Sequence, residues 1–155
     1  MRPDPITILL AEDDDGHALL VERHLRRAGF TERIARVCDG QEALDFVFGT
    51  GEYAGRAPDG PLIVLLDIRM PRIDGVEVLR LLRAAPQTSG LPVLMLTTTD
   101  NPHEITRCYQ LGCSLYVTKP VSDDDLTAGL QRLASFLSVV AVPREDTLWR
   151  EASPS

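Results

Sequence analysis

The sequence contains few cysteines, and their number and spacing argue against a disulfide framework or a structural zinc site. Cys38, Cys108 and Cys113 are the only three in 155 residues, and they lack the paired spacing of metal ligands. We interpret them as reduced thiols of a cytosolic protein, with mainly packing roles.

The chain also lacks a long apolar run, an export signal and an excess of basic charge. No run approaches the length of a membrane span, and residues 1–4, Met-Arg-Pro-Asp, lack the apolar core of a signal peptide. The formal net charge of −7 disfavours binding of nucleic acid or acidic membrane through a basic surface. We therefore expect a cytoplasmic protein with neither nucleic acid nor membrane among its partners.

What the chain contains is the composition of a soluble globular protein and a regular order of elements. Its 44% hydrophobic and 25% charged residues are ordinary values, and 155 residues suit one domain. Strand-like apolar segments alternate with segments of helical periodicity. The strand-like segments are Ile6–Ala11, Glu32–Val37, Leu62–Leu66, Leu91–Thr97 and Ser114–Thr118. This alternation predicts an α/β fold built on a doubly wound parallel sheet.

Capping signals and breakers delimit the helices. The predicted N-caps of the second, third and fourth helices are Asp39, Asp74 and Asn101. Residues 49–61, rich in glycine and proline, are predicted to form a long connection. A last helix, capped by Ser122, carries apolar residues to Val140. Residues 143–155 are expected to be a tail, with no output domain.

One stretch, residues 62–75, carries the strongest sign of a reacting group. Its five apolar residues run directly into Asp67, and such an unbroken run is typical of a strand buried on both faces. Asp67 is then expected at the carboxyl end of a central strand, where open α/β sheets place their reacting groups. A single aspartate at a strand end is more often a turn or cap residue, so the interpretation depends on the other strands.

Polar residues follow those other strands too, at the edge where the carboxyl ends of parallel strands converge. They are Glu12 and Asp13 after the first strand, Thr97 after the fourth and Lys119 after the fifth. Three carboxylates held close repel one another unless a hard cation neutralises them, and Mg²⁺ suits such a cluster best. The cation would also offset the charge of a phosphoryl group, whose oxygens Lys119 and Thr97 are expected to bind. We therefore predict that the Asp67 carboxylate attacks phosphorus and forms an acyl phosphate.

This pattern resembles the response-regulator receiver domains of bacterial two-component signalling. The matching motif residues are Glu12–Asp13, Asp67, Met70–Pro71, Asp74–Gly75, Thr97 and Lys119–Pro120. Asp67 and Thr97 are 30 residues apart, and Thr97 and Lys119 are 22 apart, separations that match the family. The resemblance covers residues 6–140. It implies a receiver domain over residues 1–142 with a flavodoxin-like, five-stranded parallel sheet in the order 2-1-3-4-5.

The resemblance also implies a metal site and a phosphoacceptor. Asp67 is the implied phosphoacceptor. Asp13, Asp67 and the main-chain carbonyl of Arg69 are the implied Mg²⁺ ligands, and Glu12 acts through a bound water.

Three further residues have roles by the same resemblance. Thr97 and Lys119 are expected to contact the phosphoryl group, and Tyr116 is the aromatic residue expected to change rotamer. Such a protein is not an enzyme in the ordinary sense, because it catalyses only its own phosphorylation and dephosphorylation.

Three departures from the family pattern bear on function. The interval of 54 residues from Asp13 to Asp67 is longer than in compact chemotaxis-type receivers, and the surplus lies in residues 49–61. Thr98 stands where many receivers carry alanine or glycine, and its bulk is expected to restrict water near the acyl phosphate. No output domain is expected after the last helix. With residues 39–46, the long connection resembles the single-domain regulators paired with phytochromes, so a sensor histidine kinase is the implied partner and a bacteriophytochrome is one candidate.

Two other classes of protein share parts of this pattern. A haloacid-dehalogenase-type phosphatase also has a nucleophilic aspartate after a buried strand, but it needs a second aspartate two residues later, where this chain has Arg69. A pseudo-receiver is a binding module with the same fold and no phosphoryl chemistry. That alternative stays open because the Arg69 side chain is able to pair with Asp13 or Glu12 and block the metal.

The C-terminal third predicts a homodimer. An apolar stripe from Leu126 to Val140 suffices to cover the sheet, but residues 136–142 are apolar on nearly every side and need a second burial partner. Leu148 and Trp149 add large apolar side chains to the tail. The alternative is that the tail folds back over its own domain. The resemblance favours a dimer through the fourth helix, fifth strand, fifth helix and tail, because receivers commonly pair there.

Overall fold

Five strands alternate with helices along the chain. In order, the elements are β1 (Thr7–Ala11), α1 (Asp15–Arg27), β2 (Arg33–Val37), α2 (Gly40–Phe48), a short 3₁₀ helix η1 (Gly51–Tyr53), β3 (Leu62–Leu66), α3 (Gly75–Ala84), β4 (Val93–Thr97), α4 (Pro102–Leu111) and β5 (Leu115–Thr118). The computed structural model describes residues 6–27, 29–55, 60–98, 100–119 and 128. The predicted last helix and tail lie outside these residues, apart from residue 128. No helix in the described part of the chain has the length and apolar character needed to cross a membrane.

The strands form one parallel sheet in the order β2-β1-β3-β4-β5. The predicted parallel sheet and the strand order implied by the resemblance are therefore both confirmed. The order of the strands reverses direction between β1 and β3, and ligands of open parallel sheets bind in the crevice at such a reversal. Asp13 follows β1 and Asp67 follows β3, so these two residues flank the crevice.

The core lies on both faces of the sheet. The central strands β1, β3 and β4 are buried along their whole length, whereas the edge strands β2 and β5 are partly exposed. Successive side chains of a strand point to opposite faces. Ile8 and Leu10 of β1 thus join a cluster with α1, and Leu9 and Ala11 join a larger cluster with α2, α3 and α4.

The three cysteines are free thiols. Cys108 and Cys113 are buried, as expected for packing roles, whereas Cys38 is exposed. Burial raises the pKa of Cys113 to about 12, so this residue remains a protonated, unreactive thiol.

The predicted caps of the second, third and fourth helices are confirmed, whereas Ser122 lies outside the described residues. Each capping side chain accepts a hydrogen bond from a main-chain N–H two or three residues later: Asp39 from Glu42, Asp74 from Glu77 and Asn101 from His103. The described part of the connection at residues 49–61 contains η1, which its composition did not indicate. Tyr53 of η1 packs edge-on against Phe46 of α2, with the ring centroids 5.2 Å apart.

Gly75 allows α3 to begin directly against the end of β3. Its N–H donates to the carbonyl of Ile68 at 2.7 Å, and a Cβ at this position would lie 2.1 Å from the main-chain oxygen of Asp67. Only glycine fits this close approach without a shift of the backbone. The contact holds the chain immediately after Asp67 against α3.

Candidate functional site

Main-chain hydrogen bonds extend the sheet by one residue past the ends of β1, β3 and β5. They bring the polar residues at these positions to one edge of the sheet. The N–H groups of Glu12, Asp67 and Lys119 donate to carbonyls of neighbouring strands, at 3.0, 3.1 and 2.6 Å. Each of these residues follows its strand by one position. The side chains that follow β1, β3 and β5 are therefore fixed near one another by the sheet itself.

The acidic residues expected at this edge lie together. One carboxylate oxygen each from Glu12, Asp13 and Asp67 lies within 4.8 Å of the other two. Glu12 is 1% exposed and Asp67 is 8% exposed, whereas Asp13 faces solvent. Carboxylates at this spacing repel one another when ionised, so the cluster requires positive charge.

Lys119 supplies part of that charge. Its Nζ donates to Glu12 Oε1 at 2.5 Å and to Asp67 Oδ2 at 3.3 Å, and its side chain is only 7% exposed. One ammonium group facing three carboxylates leaves an excess of negative charge. Oxygen ligands with excess negative charge are what a hard divalent cation prefers, so the residues present fit Mg²⁺.

The Arg69 side chain leaves the acidic cluster open. It is exposed, and within the described ranges it forms no ion pair with Asp13 or Glu12. The contact that would block the metal in a pseudo-receiver is therefore absent from the described structure.

Thr97 and Tyr116 lie on neighbouring strands beside the cluster. Thr97 is fully buried at the end of β4, and its carbonyl accepts the hydrogen bond from the Lys119 N–H. Tyr116 of β5 is half-buried and packs against the larger core cluster. Burial raises the pKa of Tyr116 to about 12, so its phenol remains neutral at physiological pH.

Sequence reasoning missed His17, which contacts Lys119 from the first turn of α1. Its Nδ1 lies 3.2 Å from Lys119 Nζ and 3.9 Å from Glu12 Oε2. With Nδ1 unprotonated, His17 is the third acceptor for the three N–H groups of Lys119, beside Glu12 and Asp67. The main-chain N–H of His17 donates to the Asp14 carboxylate and holds the pKa of Asp14 below its usual value. The only sequence signal was the short distance of His17 from the acidic run.

Arg36 of β2 was also missed. Its Nε and Nη2 both donate to the main-chain carbonyl of Glu12, at 3.1 and 2.8 Å, and its Nη1 donates to Asp15 Oδ1 at 2.7 Å. Burial works against the charge of Arg36, but the hydrogen bond to Asp15 and the nearby acidic groups raise its pKa. No local pattern in β2 indicates this contact, because it joins residues 24 positions apart.

Arg72 fixes the loop between β3 and α3. Its φ is 69°, a left-handed conformation that is uncommon for a residue with a side chain. The guanidinium binds Asp39 through Nε–Oδ2 and Nη2–Oδ1 contacts of 3.1 and 3.2 Å. Because Asp39 caps α2, this ion pair joins the loop after Asp67 to the start of α2.

Comparison with known proteins places this arrangement in one family. The family model described as "Response regulator receiver domain" matches residues 8–131. The probable methanogenesis regulatory protein FilR2 of Methanothrix harundinacea is 38% identical over 133 residues, which are 86% of this chain and 84% of FilR2. The response regulator Rcp1 of Synechocystis sp. is 33% identical over 140 residues, which are 90% of this chain and 94% of Rcp1.

Solved structures agree with the sequence matches. A response regulator receiver domain from Rhodospirillum rubrum is 42% identical, with a TM-score of 0.70 and coverage of 86% of this chain and 94% of that chain. The Mn²⁺-bound form of Rcp1 is 32% identical, with a TM-score of 0.72 and coverage of 85% and 94%. The phosphorylated cyanobacterial phytochrome response regulator RcpA is 30% identical, with a TM-score of 0.71 and coverage of 84% and 92%. The resemblance to phytochrome-associated regulators is thereby confirmed.

Proposed function

This chain belongs to the response regulator receiver family, and we propose that it accepts a phosphoryl group on Asp67 from a sensor histidine kinase. The observation that carries the proposal is the contact of Lys119 with both Asp67 and Glu12, where three carboxylates converge. This set supplies a nucleophile, a cation for the phosphoryl oxygens and oxygen ligands for a metal.

The proposed reaction moves one phosphoryl group between two protein side chains. An ionised oxygen of Asp67 attacks phosphorus, and the new O–P bond forms as the P–N bond to the kinase histidine breaks. The electron pair of that bond returns to the imidazole, which takes up a proton from solvent. Lys119, already in contact with Asp67, gains a phosphoryl oxygen as acceptor, and the Thr97 hydroxyl donates to another. The product on Asp67 is an acyl phosphate.

Mg²⁺ is the proposed cofactor. Asp13, Asp67 and the main-chain carbonyl of Arg69 would hold it, and Glu12 would act through a water. When bound, the metal offsets the charge of the carboxylates and of the phosphoryl oxygens. The exposure of Asp13 supports this assignment, since a cation reaches that carboxylate directly from solvent.

Incubation with a small phosphodonor and Mg²⁺, followed by intact mass, tests the proposal. The parent should gain one phosphoryl group, and Asp67→Asn should fold normally and gain none. Asp13→Ala or chelation of the metal should slow labelling. Labelling of Asp67→Asn would move the acceptor to another residue, and an unlabelled parent would indicate the pseudo-receiver alternative.

The proposed donor is a sensor histidine kinase in the cytoplasm, and a bacteriophytochrome is the first candidate. The likeness to Rcp1 and to the phytochrome regulator RcpA supports this choice. Phosphotransfer from a panel of purified, phosphorylated kinases should be fastest from the phytochrome member. Equal or slower transfer from that member would contradict the assignment.

We further propose that the domain extends to Val142, that residues 143–155 form a tail, and that two copies pair through α4, β5 and the C-terminal segment. A binding partner would then recognise the phosphorylated form, or the phosphoryl group would be transferred onward in a relay, since receiver domains are regulators rather than enzymes. Among the described residues, β5 is an edge strand and Tyr109 of α4 is 47% exposed, so this side of the domain offers apolar surface.

A further inference from the structure

We infer that Arg36 is a positioning residue of the acidic site: its guanidinium fixes the peptide that joins Glu12 to Asp13 and so orients Asp13 for the metal. The inference rests on the proposed function, because it assigns a positioning role to a residue beside the proposed Mg²⁺ site. Arg36 lies on β2, an edge strand, and belongs to none of the motifs that carry the family resemblance.

The contacts of Arg36 converge on one carbonyl. Nε and Nη2 both donate to the oxygen of Glu12, at 3.1 and 2.8 Å, and the N–H of Glu12 donates to Val37 of the same strand at 3.0 Å. β2 therefore holds both main-chain groups of Glu12. The guanidinium is a rigid fork of donors, so two bonds from it restrict the orientation of the carbonyl more than one flexible donor would. Because the peptide is planar, the same restriction extends to the nitrogen and Cα of Asp13.

Asp13 depends on its main chain more than the other two acids do. The Glu12 carboxylate accepts hydrogen bonds from Lys119 and from the N–H of Asp14, and Asp67 accepts one from Lys119. Among the described residues, no group donates to the Asp13 carboxylate. Its distance from Asp67 is therefore set by the backbone that Arg36 holds.

The charge of Arg36 and its geometry have opposite effects on a bound cation. A guanidinium next to Glu12 repels a nearby Mg²⁺, so removing the charge alone would tighten metal binding. Loss of the fork would free the peptide and weaken metal binding. Residues that orient metal ligands typically contribute about tenfold or more to metal affinity, so we expect geometry to dominate.

The hydrogen bond from Arg36 Nη1 to Asp15 contributes less to the geometry of the acidic site. Its partner Asp15 has a side chain that is 93% exposed, and exposed ion pairs are worth little. The contact with Asp15 orients Arg36 but does not explain why two donors point at one carbonyl. The position of that carbonyl, next to Asp13, does explain it.

The test compares Arg36→Met and Arg36→Lys with the parent and with Arg80→Met. Arg80 forms a two-bond ion pair with Glu77 on the exposed face of α3 and pairs with none of the three clustered carboxylates, so its loss removes the same charge outside the acidic cluster. Mg²⁺ binding is followed by the amide NMR shifts of residues 11–14 in the absence of any phosphodonor. The Mg²⁺ dependence of labelling by a small phosphodonor is measured separately.

We expect the Mg²⁺ dissociation constant of Arg36→Met to rise about tenfold. The Mg²⁺ concentration that gives half-maximal labelling should rise by a similar factor. Arg36→Lys, which keeps the charge but not the fork, should resemble Arg36→Met and also covers the case in which the methionine variant fails to fold. Arg80→Met should behave as the parent does.

Unchanged or tighter Mg²⁺ binding in the Arg36 variants would overturn the inference, as would parental affinity in Arg36→Lys. The proposed function fails by a different result, the absence of labelling in the parent. In that case the Mg²⁺ titrations by NMR still test the role of Arg36.

Discussion

At the scale of a single residue, the contacts of Lys119 with two carboxylates serve both function and stability. Its ammonium lies between two carboxylates that are almost completely buried, Glu12 and Asp67. Without it, those two charges would face each other and Asp13 in a poorly hydrated place. The same residue that is proposed to bind the phosphoryl group therefore also stabilises the unphosphorylated protein.

We predict that Lys119→Met lowers the free energy of unfolding by about 3 kcal/mol at neutral pH without metal, the usual cost of removing one partner of a buried ion pair. Mg²⁺ should restore part of this loss, because it supplies the missing positive charge. Urea unfolding followed by circular dichroism, with and without Mg²⁺, measures both effects. Arg80→Met is the control for loss of an exposed charge. Parental stability of Lys119→Met would show that the buried carboxylates need no counter-charge.

We predict that Thr97 couples the phosphoryl group to Tyr116 and the surface around it. Thr97→Ala should still accept phosphate, since Asp67, Asp13 and Lys119 are unchanged. It should lose the change that phosphorylation causes at Tyr116, because no hydroxyl is drawn toward the phosphoryl oxygens. The ring resonances of Tyr116 before and after phosphorylation report this directly. A response equal to that of the parent would remove Thr97 from the coupling.

The residues of the acidic cluster were predictable from the sequence for a physical reason. Glu12 and Asp67 each follow an apolar strand, and the carboxyl ends of parallel strands meet at one edge. The contacts of Arg36 and His17 were not predictable, because they depend on how a long side chain reaches across the sheet or along the first turn of a helix. Periodicity carries no information about such contacts.

At the scale of the element, the side chain of Asp39 joins a helix and a loop. It caps α2 through the N–H of Glu42, and it binds the guanidinium of Arg72 in the loop after Asp67. Burial alone would raise the pKa of Asp39, but these two partners hold it below the usual value of 3.8. Its stabilising effect therefore depends on pH.

We predict that Asp39→Ala lowers the free energy of unfolding by about 1 kcal/mol at neutral pH, a typical value for an N-cap. The folded-state pKa is depressed, so the stabilisation is complete above the usual carboxyl pKa and is lost as the pH falls through the folded value. The difference between variant and parent should shrink as the pH falls below the usual carboxyl pKa of 3.8. Urea unfolding at several pH values checks this. Asp100→Ala, in an exposed loop, is the control, and a difference that does not change with pH would contradict the prediction.

Local signals predicted most element boundaries. The caps at Asp74 and Asn101 are confirmed. A short polar side chain at the N-cap accepts a hydrogen bond from a free main-chain N–H of the first turn, and this contact is local, so it does not depend on the position of the helix in the fold. η1 was not predicted. Its glycine-rich sequence indicates a loop, and it is held in part by contacts of Tyr53 with Phe46 and with Glu42 of α2.

At the scale of the whole molecule, alternation of strands and helices predicted the fold class but not the order of the strands. Buried runs such as Leu62–Leu66 and Val93–Thr97 identify central strands. They do not say which strands are neighbours, and the order 2-1-3-4-5 came from the family resemblance. That order places β1 beside β3 and thereby brings Asp13 to Asp67.

The same order leaves β5 at an edge of the described sheet. The predicted homodimer depends also on the C-terminal residues. Residues 136–142 are apolar on nearly every side, and Leu148 and Trp149 follow in the tail. Burial of one large apolar side chain contributes roughly 1.5–3 kcal/mol, so a second surface that covers several of them is strongly favoured. A two-fold arrangement satisfies both copies at once, and nothing in it requires phosphate.

We predict that the unphosphorylated protein sediments as a dimer at micromolar concentration. Truncation after Val142 combined with Val139→Asp should give monomers that still accept phosphate, since Asp13, Asp67 and Lys119 are unchanged. Truncation alone separates the two explanations of the tail. If the tail folds back over its own domain, its removal lowers stability without changing the oligomeric state, whereas an interfacial tail weakens the dimer. A monomeric parent at the same concentration would contradict the prediction, because the apolar residues would then be buried within a single chain.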